Sequence, residues 1–148
     1  MSLRIEHVDQ SNWYHIINLK VHPSQENFIE SNACSIVESQ YTAGWYPVGL
    51  YSNDVLVGFA MYGCHEQDAI WLDRFMIDKR YQGHGLGHQF LVYLLERIKI
   101  QFKIRKILLS FTPENKYARS FYERHGFSNT NEVDLKGELI FMYHCSEV

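Results

Sequence analysis

The chain of 148 residues is 46% hydrophobic, 15% aromatic and 21% charged, with a formal net charge of −3. That is the size and composition of one soluble globular domain, spanning residues 1–148, and the negative balance with no basic stripe excludes nucleic acid as the main partner. No apolar run reaches membrane-spanning length and no basic-then-apolar leader opens the chain, so neither anchor nor membrane contact is expected, and the cytoplasm is the expected location.

In chain order, residues 3–8 read as a strand, and Asp9 or Ser11 as the cap of a short helix carrying Trp13, Ile16, Ile17 and Leu19. Pro23 opens a second helical region containing Phe28, Ile29, Ile36 and Val37. Residues 48–52 and 55–62 read as strands joined by a hairpin turn at Asn53 and Asp54. Residues 70–77 form an apolar run of strand length, interrupted by Asp73 and Arg74. After a glycine cluster, Leu86, Phe90, Leu91, Leu94, Leu95 and Ile98 fall at helical spacing. Residues 107–111 are a short strand that completes a strand–helix–strand unit, so the two strands should pair in parallel. Residues 115–125 read as a helix stopped by Gly126, a position suited to a left-handed cap. Two last strands, 127–133 and 138–144, meet at a turn containing Lys136 and Gly137. The order β-α-α-β-β-β-α-β-α-β-β makes a mixed α/β domain, mainly antiparallel with one parallel step.

The cluster Gln82, Gly83, His84, Gly85, Leu86 and Gly87 is the most informative stretch. Strand, glycine turn and helix aim free backbone N–H groups at an anion, and glycine removes the Cβ atoms that would block it. A P-loop would follow its last glycine with Lys and Ser or Thr, whereas His88 and Gln89 follow Gly87. A dinucleotide fingerprint would read G-x-G-x-x-G, which this stretch does not. A tight strand-to-helix connection is the bland reading of the glycines alone.

The spacing Gln82-x-x-Gly85-x-Gly87 resembles the Q/R-x-x-G-x-G/A signature of the GNAT N-acetyltransferases. Asn115, Ala118 and Tyr122, followed by Gly126 and Phe127, resemble the second acetyl-CoA motif of that superfamily. Both occur in the family's order, and the likeness extends loosely before Pro47 and closely after it. The stretches 47–51, 57–62 and 71–75 are similar to those of bacterial spermine/spermidine acetyltransferases. The resemblance implies a GNAT-like acyl-CoA N-acyltransferase fold, acetyl-CoA as co-substrate, a polyamine acceptor and a homodimer. It also implies that Phe75, Met76 and Ile77 form a splayed strand end, parted from its neighbour through a β-bulge, that pairs with the pantetheine arm. Residues 82–87 would take the pyrophosphate, Asn115 the pantetheine side, and Ala118 would leave room for the arm.

Tyr122 is then the candidate general acid, since a phenol can protonate a departing thiolate without being ionised beforehand. The bland reading is that Tyr122 packs the helix on the sheet. An alkylamine is protonated at neutral pH and must lose that proton before attacking a thioester; Asp73, a carboxylate in an apolar strand, is the candidate base. In a regular strand Arg74 would point to the other face from Asp73 and would not pair with it. A structural ion pair is the alternative role for Asp73. An acidic and aromatic set in the early segment and the loop before residue 70 suits a polycation, and Glu26, Glu30, Tyr41 and Trp71 are its candidate contacts.

Rival readings are an acetyltransferase for an aminoglycoside, another small amine or a protein α-amine, and a non-catalytic acyl-CoA sensor. Cys34, Cys64 and Cys145 read as buried free thiols, and His84 with His88 lacks a third ligand, so no metal is expected.

Overall fold

A computed structural model describes residues 2–145. Its centre is a seven-stranded sheet in the order β1-β2-β3-β4-β5-β7-β6. The strands are β1 (Leu3–His7), β2 (Trp45–Ser52), β3 (Val55–Glu66), β4 (Ala69–Ile77), β5 (Lys106–Phe111), β6 (Ser128–Val133) and β7 (Leu139–His144). The helices are α1 (Trp13–Ile17), α2 (Asn32–Tyr41), α3 (Leu86–Phe102) and α4 (Lys116–Arg124). Among the described residues, only β4 and β5 pair in parallel. The β2–β3 turn has Asn53 and Asp54 at φ 49° and 67°, the left-handed pair that a two-residue hairpin requires.

The middle of the sheet is buried on both faces. On β3, Ala60 and Tyr62 join the larger core with α3, whereas Phe59 and Met61 pack with Ile16 and Leu19, as strand alternation demands. The six apolar positions read from the helical spacing of α3 are its buried residues. Each such side chain contributes roughly 1.5–3 kcal/mol by leaving water.

Three local expectations need correction. The cap of α1 is Asn12: Asp9 instead accepts from the Ser11 N–H, and Asn12 Nδ2 donates to His7 O at 2.9 Å to close the turn after β1. The second helical region is broken into a 3-10 turn, Pro23–Phe28, and α2, because Ile29 is extended and Ser31 Oγ starts a new helix by accepting from the Cys34 N–H. Buried Asn32 then ties α2 to the Ile16 carbonyl at 2.9 Å. The cysteines are free, but Cys34 is exposed and the other two are half-buried.

Candidate active site

The parallel ladder between β4 and β5 is short. Ala69, Ile70 and Trp71 pair with Lys106, Ile107 and Leu108, and then the strands part. The rest of β5 stays bonded to β7, so β4 beyond Trp71 has a partner only on its β3 side. This opens a backbone-lined gap beside Phe75, whose ring stacks on Phe121 with centroids 6.4 Å apart. Near the gap, just after β5, the buried Thr112 Oγ1 has no hydrogen-bond partner, as expected of a polar atom awaiting a ligand.

The loop after β4 is held from below. Asp78, almost wholly buried, accepts from the backbone N–H groups of Lys20 and Arg80 at 2.8 and 3.0 Å and from Arg80 Nε at 2.8 Å. Burial pushes its carboxyl up, but these bonds and the guanidinium outweigh that and hold it below the usual carboxylate range. Gln82 Nε2 donates to Ile77 O at 2.9 Å and to Gln25 Oε1 at 3.0 Å, so this side chain braces the loop. Gly83 and Gly85 lie at φ 84° and 81°, and Gly85 is the residue before α3. A Cβ at Gly83 would meet nothing within 4 Å, so the loop is open to an incoming group. The first helical bond runs from Gln89 N to Gly85 O; the N–H groups of residues 83–88 take no acceptor among the described residues. A loop with free amides at a helix start is suited to a multiply charged anion, which the helix dipole would favour further.

Asn115 proves to be the N-cap of α4. Its Oδ1 accepts from the Ala118 N–H at 3.2 Å, leaving the side-chain NH2 as the end available to a ligand. The Tyr122 ring packs among Phe111, Phe121 and Phe127 at 5.3–6.1 Å, so its packing role is real. Its hydroxyl nevertheless has no hydrogen-bond partner among the described residues. Burial, with Tyr117 adding to it, pushes the phenol well above its ordinary value, so it stays protonated.

Asp73 is the extra residue of a β-bulge. Arg74 opposes Met61 and Leu72 opposes Tyr62, which leaves Asp73 unopposed. The bulge breaks alternation and lets Arg74 Nη1 pair with Asp73 Oδ2, against the expectation for a regular strand. Arg74 Nε also donates to Ser35 Oγ at 3.0 Å, anchoring the guanidinium to α2. The expected β-bulge therefore lies on the β3 side of β4, while the splay arises where the ladder to β5 ends. Burial raises the Asp73 carboxyl above its ordinary value; Arg74 and Lys136 oppose this, and Glu38 and Glu138 reinforce it.

Asp73 and Arg74 lie in a cleft of about 690 Å3, walled by the 3-10 turn, α2 and the β6–β7 hairpin. Glu26, Glu30, Glu38, Asp134 and Glu138 join Asp73 there, against Arg74 and Lys136. Asp134 is partly engaged by the N–H groups of Lys136 and Glu138, and Glu138 by Ser110 Oγ. The carboxylates of Glu26, Glu30 and Glu38 take no hydrogen bond or ion pair among the described residues. Tyr41 and Trp71, by contrast, do not line the cleft, and Tyr41 is 87% exposed at the end of α2. Sequence reasoning missed Asp134, Lys136 and Glu138, which the β7 insertion brings to Asp73 from some sixty positions away; no local pattern marks them.

Residues 10–127 match the acetyltransferase (GNAT) family. The chain belongs to that family. It is accordingly an acetyltransferase, and the family's donor is acetyl-CoA. The chain is 38% identical to the spermine/spermidine N(1)-acetyltransferase of Bacillus subtilis strain 168, over 96% of this chain and 98% of the relative. Its fold is similar to that of spermidine N-acetyltransferase from Vibrio cholerae, solved with CoA and spermine, at a TM-score of 0.76 and 14% identity, covering 96% and 95% of the two chains. It is also similar to ribosomal-protein-S18-alanine N-acetyltransferase from Escherichia coli, at a TM-score of 0.72 and 20% identity, covering 99% and 96%. Such likeness at low identity establishes the architecture alone. Among the described residues, no helix is long and apolar enough to cross a membrane, and no group of three or more His, Cys, Asp or Glu could hold a metal ion.

Proposed function

We propose that the enzyme acetylates a primary amine of a polyamine such as spermidine or spermine by direct attack on acetyl-CoA. The observation that carries the reading is the cleft at Asp73, where six carboxylates face two cations. A flexible polycation gains attraction along such a wall, whereas a neutral or singly charged acceptor gains little. The relative in Bacillus subtilis supports the same acceptor class.

Acetyl-CoA supplies the activated acyl group as a thioester. The amides of residues 83–88 bind its diphosphate, the unpaired edge of β4 at Phe75, Met76 and Ile77 pairs with its pantetheine amides, and the Asn115 NH2 orients that arm. The Asp73 carboxylate takes the proton of the acceptor ammonium, directly or through water, and its raised basicity suits that task. The Tyr122 hydroxyl, protonated and without another partner among the described residues, gives its proton to the departing sulfur, and the phenoxide regains one from the attacking nitrogen as the amide forms. No Ser-His-Asp or Cys-His arrangement was found in the sequence, consistent with transfer in one step without an acyl-enzyme.

The test is thiol release from acetyl-CoA across a panel of spermidine, spermine, an aminoglycoside and a peptide with a free α-amine, alongside calorimetric titration of CoA. Turnover with polyamines, with a KM that rises with salt, is the expected result. Activity confined to the aminoglycoside or the peptide would reject the acceptor assignment. Tight CoA binding without turnover on any amine would indicate a sensor.

A further inference from the structure

We infer that His88 and His125 form a proton-linked clamp that takes up a proton when the coenzyme diphosphate binds at the start of α3. The inference rests on the coenzyme site proposed above.

His88 is the third residue of α3, beside the free amides of Leu86 and Gly87. Its Nδ1 lies 2.6 Å from His125 Nε2, with the ring centroids 4.9 Å apart. His125 Nδ1 lies 2.7 Å from Phe121 O, in the same helix as Tyr122. A carbonyl oxygen only accepts, so His125 Nδ1 carries a proton. With the pair neutral, His125 Nε2 therefore holds a lone pair and His88 Nδ1–H donates to it. A neutral imidazole has one N–H, so His88 Nε2 is left with a lone pair and nothing to offer a phosphate oxygen. One added proton changes this. Whether the charge resides on His88 or on His125, His88 Nε2 becomes an N–H donor beside a net positive charge. A second added proton would leave the shared bond with no acceptor, so the pair takes up at most one.

Few other charges bear on the pair. On α4, Arg119 and Glu123 pair with each other at 3.7 Å, and Arg124 is exposed beside His125. From the loop comes exposed His84, from α3 the apolar Leu91 and Val92 one turn on, and from β7 the Tyr143 ring over Gly126. No carboxylate lies within ion-pair distance of either ring among the described residues. The coenzyme phosphates are thus the charge that would draw the proton in.

Acetyl-CoA is titrated into the full chain at pH 7 in buffers of different ionisation enthalpy, and the protons taken up are compared with those of His88→Gln and His125→Phe. The 3′-phosphate of the coenzyme also titrates near pH 6, so the difference between proteins is the readout. The wild type should take up more protons than His88→Gln, and its affinity should rise by up to about tenfold per unit as pH falls from 8 to 6, relative to that variant. His125→Phe frees His88 to carry its single proton on Nε2 without taking one up, so it should bind at pH 8 at least as well as the wild type. Equal uptake by the wild type and His88→Gln, or weaker binding by His125→Phe than by the wild type at pH 8, would overturn the clamp. Absence of any heat with folded wild type would instead remove the coenzyme site, and the clamp with it.

Discussion

Replacing Tyr122 with Phe removes one oxygen from a ring whose packing is otherwise kept. The three aromatic neighbours of Tyr122 contact the ring, and no described residue bonds its hydroxyl. The variant should therefore fold with a stability within about 0.5 kcal/mol of the wild type. If the hydroxyl protonates the leaving sulfur, kcat should fall by about 100-fold or more, the lower end for a general acid and equivalent to about 2.7 kcal/mol of barrier. The Kd for acetyl-CoA should stay within about threefold, because the lost interaction belongs to the transition state. Thiol release can be followed with a chromogenic disulfide once the signal from Cys34, Cys64 and Cys145 is subtracted. The phenol is pushed up by burial, and its active form is the protonated one, so wild-type activity should persist past the ordinary phenol value of about 10 before any loss from its ionisation. A kcat within about threefold of wild type, or a loss carried wholly by the KM for acetyl-CoA, would refute the assignment.

Asp73→Asn should cost most at low pH. The wild-type kcat/KM should level off above the raised Asp73 value, whereas the variant should climb about tenfold per pH unit toward the amine value near 10, since it must wait for free amine from solution. A loss equal at every pH would assign the base elsewhere. Asp78→Asn tests the brace beneath the glycine loop. The folded carboxyl is held below its unfolded value of about 3.9, so its contribution is complete above that value and fades as pH falls through the folded one. Urea unfolding should show a deficit of about 1–3 kcal/mol at neutral pH that narrows in acid; a deficit that does not change with pH would deny the linkage.

Much of the scaffold was legible because it rests on local patterns. Helical spacing marked α3, paired turn residues marked the β2–β3 hairpin, and the glycines marked the loop before α3. The break within residues 23–37 was less visible, because apolar positions continue across it and only the Ser31 cap and the Asn32 anchor interrupt the helix. Asp73 could be singled out as a carboxylate in an apolar strand, but its pairing with Arg74 follows from a bulge that shows only when Met61 and Tyr62 lie opposite. Acidity in the early segment singled out Glu26 and Glu30, which line the cleft, whereas Tyr41, chosen by the same reasoning, lies exposed outside it, since composition does not say where along α2 a residue faces. The hairpin acids Asp134 and Glu138 depend on the strand order, which no short window of sequence encodes.

The early parting of β4 from β5 divides what can drift from what cannot. A gap edged by main chain presents the same amides whichever apolar side chains the strand carries, so a shared carrier could remain legible through extensive substitution. The cleft at Asp73 is instead walled by side chains on a turn, a helix and a hairpin, each replaceable without disturbing that edge. On the roles proposed above, a new acceptor would need only a handful of exchanged charges, with the donor machinery inherited intact.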